Sequence, residues 1–225
     1  MHRIVFSLAC LCLVSSSARA QNWPQFRGPG AAGVAEGRVA PVKWDASKSE
    51  GVRWKTPIPG LSHSSPVVWG DKVFVTTAVS ANPKEETRFG LYGDVDPVKE
   101  DGKHTWKVYA LDKQTGKVLW ERTAYEGVPK VKRHPKSSHA AATPATHGKH
   151  LVVHFGSEGL YTYDLNGKLL WKQDLGVLDA GWFYDPDYQW EYASSPVIYK
   201  NMVFVQADIQ HNSFLAGYHL KTGKR

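Results

Sequence analysis

The sequence predicts an all-β protein, a β-propeller of four-stranded antiparallel units, and two recurring patterns predict it. The first is the stretch Val108 to Glu121, VYALDKQTGKVLWE, in which two alternating runs flank a turn at Lys113 to Gly116. Glycine there supplies the positive φ of a tight reversal, so the stretch reads as a β-hairpin. It recurs as Leu160 to Lys172, LYTYDLNGKLLWK, around Asn166-Gly167, and starts again as Ala216 to Arg225, AGYHLKTGKR. In the first two copies a Trp follows the turn glycine by four residues, Gly116 to Trp120 and Gly167 to Trp171. The second pattern precedes each hairpin: SSPVVWGDKVFVTT from Ser64, ATPATHGKHLVVHF from Ala142 and SSPVIYKNMVFVQA from Ser194. Each is a small pair with Pro, a strand, a short reversal and an apolar run. A full unit therefore holds two hairpins in series. The spacings of 66 and 51 residues from Trp54 to Trp120 to Trp171 are those of propeller blades. The composition agrees, with 20 Gly, 13 Pro, 12% aromatic residues and no sustained 3.6-residue apolar period.

These units resemble the pyrroloquinoline-quinone-type (PQQ-type) propeller repeat, whose usual form is a strand, LD-x-x-TGK, an apolar residue and Trp. Leu111, Asp112, Thr115, Gly116, Lys117 and Trp120 match it, as do Asp164, Gly167, Lys168 and Trp171, and in part Leu220, Thr222, Gly223 and Lys224. The resemblance covers Gly51 to Arg225, and the opening NWPQFRGPG (Asn22 to Gly30) resembles the leader of large secreted bacterial proteins of this class. A closed ring of seven or eight such blades needs on the order of 350 to 450 residues. The expectation is therefore an N-terminal part of a longer protein, with the propeller incomplete in this chain.

Taken in order, residues 1–20 read as a secretory signal peptide. His2 and Arg3 precede an apolar core, Ile4 to Val14, and a small-residue end, Ala18-Arg19-Ala20, with cleavage expected between Ala20 and Gln21. A membrane span needs roughly 20 apolar residues, which this core lacks. Both cysteines, Cys10 and Cys12, fall within it, so the mature chain is expected to carry no thiol or disulfide. Losing Arg3 and Arg19 lowers the net charge from +7 to +5. The basic cluster Lys130, Lys132, Arg133 and Lys136 reads as a solvated loop, and a nucleic-acid partner is not expected.

Residues 21–50 read as an extended arm whose Trp23 and Phe26 pack against the propeller. The literal G-x-G-x-x-G at Gly28, Gly30 and Gly33 lacks the strand before and the helix after that a dinucleotide site requires. Residues 51–60 read as a blade-closing strand carrying Trp54, and blades are expected over 63–124, 141–176 and, incompletely, 194–225. Within the first, Ser80 to His104 is an insertion of about 25 residues, long enough to be functional or disordered. Asp94-Val95-Asp96 resembles the start of an EF-hand loop but fails its spacing.

Five histidines, His134, His139, His147, His150 and His154, crowd 21 residues. His150 and His154 share a strand face about 13 Å apart and cannot chelate one ion. His134 and His139 could, but no acidic partner or spaced motif supports a metal. Leu178 to Ala193, LDAGWFYDPDYQWEYA, sets six aromatics beside Asp179, Asp185 and Asp187. Inter-blade packing is the first expectation for it. It is also the best candidate binding face, through Trp182, Asp185, Asp187 and Trp190 with His63, His134 and His139. Trp54, Trp120 and Trp171, with Gly116, Gly167 and Gly223, are expected to dock one blade on the next.

No catalytic, cofactor or metal residues are assigned. The expected function is a secreted or periplasmic non-catalytic binding or scaffold propeller with a protein or carbohydrate partner in the cell envelope. The resemblance implies one alternative, a PQQ-dependent alcohol or sugar dehydrogenase using calcium, with Asp185 and Asp187 as the carboxylates to test. The aromatic segment implies a second, a carbohydrate-binding propeller.

Overall fold

The computed structural model describes residues 22–37, 41–82, 86–88, 96–99, 101–182 and 185–225, with the side chains of Trp182 and residues 185–187 left aside. The expected signal peptide with its Ala20-Gln21 junction, and the Asp94-Val95 start of the EF-hand-like stretch, lie outside them. Three antiparallel sheets follow one another along the chain. The first contains β1 (Val67–Trp69), β2 (Lys72–Ser80), β3 (His104–Asp112) and β4 (Val118–Gly127). The second contains β5 (Ala145–Thr146), β6 (His150–His154), β7 (Leu160–Asp164) and β8 (Leu169–Gln173). A two-stranded pair, β9 (Gly181–Trp182) and β10 (Asp185–Gln189), leads to the third, β11 (Val197–Tyr199), β12 (Met202–Ala207) and β13 (Phe214–His219). Neighbours in sequence are neighbours in each sheet, and β1, β5 and β11 approach one another. This is a β-propeller built of four-stranded blades whose first strands face the axis.

Neighbouring blades pack face to face. One core joins Val67, Phe74, Val108 and Ala110 of the first sheet to Leu151, Val153, Tyr161 and Tyr163 of the second. Another joins Val152 and Leu160 to Val203, Val205, Ala216 and Tyr218 of the third.

Three equivalent contacts fix the blades in register. The Trp54 ring lies against Gly116, that of Trp120 against Gly167 and that of Trp171 against Gly223, each so close that a Cβ on the glycine would fall within 3 Å of the indole. The glycines sit at φ +73°, +84° and +70°, which few side chains tolerate. The indole N–H of Trp54 donates to Lys113 O (2.9 Å), that of Trp120 to Leu165 O (3.1 Å) and that of Trp171 to Leu220 O (2.8 Å). Two residues after each Trp, Thr56, Arg122 and Gln173 donate a side-chain hydrogen bond to the carbonyl of the same glycine, at 2.7, 2.8 and 2.9 Å. The Asp112 carboxylate ties the first turn by accepting from Gln114 N and Thr115 N, and Asp164 ties the second from Asn166 N and Lys168 N. In the third turn His219 stands where the aspartate was, with its Nδ1 3.2 Å from Thr222 Oγ1.

Two expectations need correction. Residues 51–60 form no strand; Pro57 and Pro59 remove ladder donors, and the segment is held instead by Trp54, Thr56 and the bond from Thr77 Oγ1 to Pro59 O (2.8 Å). The basic cluster is solvated only in part: Lys130 and Lys132 are exposed, and Arg133 is not. Arg133 is 1% exposed and donates to Ser137 O (3.0 Å), and Lys130 reaches Ser157 O (2.7 Å) and Asp174 (3.3 Å).

The arm lies along the axial edges of two blades. Trp23 exchanges both backbone hydrogen bonds with Val68 at 2.8 Å, and Thr146 N donates to Pro24 O at 2.8 Å. Gly28 closes over the Trp23 ring. Gly28, Gly30 and Gly33 shape a tight loop around a short 3₁₀ turn, Pro29–Ala31, with no strand–helix unit about it among the described residues.

Gly167→Ala adds a Cβ 2.9 Å from Trp120 at φ +84° and should destabilise the chain by about 2 to 4 kcal/mol, as should Trp120→Ala. Asn166→Ala, at a turn position whose side chain makes no such contact, should cost less than about 1 kcal/mol. Denaturant titration of the three variants measures the difference.

Candidate functional site

A cleft of about 860 Å³ opens beside the arm, where the loop His134 to Ser137 meets the segment Trp190 to Pro196. Of the residues expected at a binding face, His63, His134 and Trp190 line it, and His139 lies buried beneath. Trp182, Asp185 and Asp187 belong to β9 and β10, and their side chains are outside the described set.

The loop is shaped by its own hydrogen bonds. Ser137 N donates to His134 O (2.8 Å), and Lys136 N donates to the His134 ring at Nδ1 (3.0 Å). That bond makes Nδ1 an acceptor and places the ring proton of neutral His134 on Nε2. Burial, then the Lys136 charge, lowers its pKa and favours this neutral form. The imidazole stacks flat on the Trp190 indole, with centroids 4.3 Å apart and planes 9° apart. Tyr188 meets both rings at a tilt, 5.9 Å from His134 and 5.8 Å from Trp190. His63 is exposed in the lining, its backbone N–H bonded to Ser138 Oγ (3.1 Å) at the end of the same loop.

Under the cleft is a buried group of ionisable side chains, of which sequence reading named His139 and His154 but missed Glu191 and Glu158. Glu191 has φ +70°, a left-handed conformation that costs a non-glycine residue on the order of 1 kcal/mol or more. Its Oε2 lies 2.5 Å from His139 Nδ1, with both side chains 1% exposed. The peptide beneath leaves no room for a side chain, since a Cβ on Gly156 would fall 2.9 Å from Glu191 Oε1. Glu158, 4% exposed, accepts from Lys130 N at Oε1 (3.0 Å), and its Oε2 is buried without a partner. Burial, reinforced by the nearby Glu191 charge and offset by the Lys130 N–H and His139, pushes the Glu158 carboxyl up to about 7. The only hint in the sequence is a lone glutamate in the short turn Phe155 to Gly159 between two apolar strands. Close by, burial brings the His154 imidazole down to about 4; it packs edge-on to Tyr192 at 4.8 Å and stays neutral at physiological pH.

His134 and His139 are not brought together as a chelating pair. One stacks on Trp190, the other pairs with Glu191. Among the described residues no three His, Cys, Asp or Glu side chains converge on a metal position.

Part of the cleft wall has a different origin. Val197, Phe204 and Leu215 occupy the register positions of Val67, Phe74 and Val108 in the first blade. There all three are 0% exposed, covered by the second blade; here Val197 is 50% and Leu215 71% exposed. This face has the pattern of a blade-to-blade contact, although it lines the same cleft as Trp190.

Because the Glu158 pKa is raised on folding, the protonated form favours the folded state. Its contribution is full below about pH 4.5 and is lost as pH rises through about 7, on the order of 2 to 3 kcal/mol in all. Glu158→Gln should remove that loss. Melting curves from pH 5 to 8 should converge with wild type at the acid end and show the variant more stable at the alkaline end.

The family model described as outer membrane protein assembly factor BamB matches residues 28–177 and again residues 104–225. No curated protein matches the chain significantly. Among solved structures, the chain is similar to the quinohemoprotein alcohol dehydrogenase ADHIIG from Pseudomonas putida HK5, at 15% identity and TM-score 0.44 over 76% of this chain and 21% of that one. It is also similar to BamB from Moraxella catarrhalis, at 16% identity and TM-score 0.40 over 78% of this chain and 54% of that one. It thus spans about a fifth of the first and about half of the second. Among the described residues no helix is long and apolar enough to cross a membrane. With two overlapping family matches covering everything from Gly28 to Arg225, on a chain whose Trp-and-glycine turns recur three times, this protein belongs to the PQQ-type repeat family of outer membrane protein assembly factor BamB.

Proposed function

We propose that the chain is a non-catalytic binding or scaffold propeller, exported by a signal peptide over residues 1–20 and working in the bacterial cell envelope. The arm is assigned to residues 21–50 and the propeller to 51–225. The ligand face is the cleft at Trp190. The observation that carries this reading is that two of the ionisable groups lining the cleft, Glu191 and His134, are already committed to structural partners. The Glu191 carboxylate is held by His139, and the His134 ring accepts from Lys136 N and stacks on Trp190. The lining so arranged presents a rigid surface, and the carboxyl held near neutral pH, Glu158, lies buried beneath the cleft and not in its lining. The family supports a protein partner in the envelope, and the modest net charge gives no basis for a nucleic acid.

The second reading, a quinone-dependent alcohol or sugar dehydrogenase, is favoured by the repeat type alone. Pyrroloquinoline quinone is a planar tricarboxylate and needs cations around it. Among the described residues lining this cleft, Lys136 is the one fixed cation, so the lining does not fit the cofactor.

Calorimetric titration with pyrroloquinoline quinone, with and without calcium, alongside dye reduction by simple alcohols and sugars, tests the reading. The expected outcome is no saturable heat and no dye reduction. Saturable binding with turnover would overturn it.

A further inference from the structure

We infer that Trp190, backed by His134, is a stacking platform for a pyranose ring, so that the cleft takes a neutral oligosaccharide. This deepens the proposed binding role and rests on it.

The first support is geometric. The His134 imidazole covers one face of the Trp190 indole. Tyr188 is nearly equidistant from the two stacked rings, 5.9 and 5.8 Å, while their own centroids are 4.3 Å apart, so it stands beside the stack. A ring on the far side of Trp190 would be much farther from His134 than from Trp190. Among the described residues, the outer face of the indole is therefore left to the cleft, and Trp190 is 47% exposed.

The second support is rigidity. Trp190 N donates to Ala180 O (3.1 Å), which ties the platform to the β9 side of the segment. The next residue, Glu191, turns the chain through positive φ and is locked by His139. Tyr192 then points inward and bonds Gln206 O. The strained residue thus sends one aromatic outward and the next into the core. A platform fixed before binding loses little conformational entropy on contact.

The third support is the chemistry of the frame. Besides the neutral His134 ring stacked on the indole, the cleft is lined by Gln25 and Phe26 from the arm and by Ser194. The one carboxylate of the described lining, Glu191, is occupied by His139. A flat apolar surface edged mainly by amide, hydroxyl and ring N–H groups, with Lys136 the one cation of the described lining, matches a sugar, whose faces present C–H groups and whose rim carries hydroxyls. It matches a polyanion poorly. Val197, Phe204 and Leu215 take no part.

The test is titration of the full chain with cellohexaose, chitohexaose and xylohexaose, followed by tryptophan fluorescence and calorimetry. The expected result is saturable binding of at least one sugar below about 10 mM, weakened about tenfold or more by Trp190→Ala and less by Trp190→Phe. Trp44→Ala, at an exposed indole outside the cleft, should leave binding unchanged. Circular dichroism on each variant separates lost binding from lost fold. No saturable binding by a folded wild-type chain overturns the inference, as does binding indifferent to Trp190→Ala. Neither failure is a failure of the non-catalytic reading, which falls on quinone turnover. If sugars fail and an aromatic peptide binds through Trp190, the cleft is a protein-docking site and the sugar assignment is wrong.

Discussion

The indole of one repeat lying over the turn glycine of the next is the contact on which this structure depends. Hydrogen bonds of a β-sheet stop at the sheet's edge, so nothing in the ladders themselves sets how one blade sits against its neighbour. The hydrophobic faces supply attraction without direction. Direction comes from the Trp, whose flat ring fits only where a glycine has no Cβ and whose N–H reaches a carbonyl of the same turn. The side chain two residues on adds a second hydrogen bond to the glycine carbonyl. Three chemically different residues, Thr56, Arg122 and Gln173, do this same job. The requirement is therefore for a donor at that position and not for a particular side chain.

The arm uses a related device at the axis. Gly28 sits over Trp23 as the turn glycines sit under the blade tryptophans, and the Trp23 backbone completes hydrogen bonds that the inner edge of β1 would otherwise leave open. Because Pro24 also accepts from Thr146, the arm ties the inner edges of two blades together. It then carries Gln25 and Phe26 to the cleft wall, so the same segment serves closure of the inner rim and the shape of the site.

At the cleft the energetics run through buried charge. An ion pair as enclosed as His139 with Glu191 gives up its hydration on both sides, and such pairs add little net stability over apolar packing. Its effect is conformational: it holds Glu191 in a backbone geometry the residue would not otherwise keep, which sets the opposite orientations of Trp190 and Tyr192. Glu158 stands close enough to raise the cost of a second negative charge there and keeps its own proton to about neutral pH.

The sequence by itself determined the repeat. Alternation, turn glycines and Trp spacing are local patterns, and local patterns survive without knowledge of the rest of the chain. They gave the four-stranded blades and the hairpin turns. Some local features were also misread: Pro57 and Pro59 keep residues 51–60 out of any ladder although Trp54 keeps its place. What only the tertiary structure decided is the role of charge. Arg133 looked like a solvated cation and is buried, and the His139–Glu191 pair joins residues 52 apart in sequence. The partnering of Glu158 depends on a loop from another part of the chain. A charged side chain's environment is set by whichever segments fold over it, and no periodicity in the chain records that.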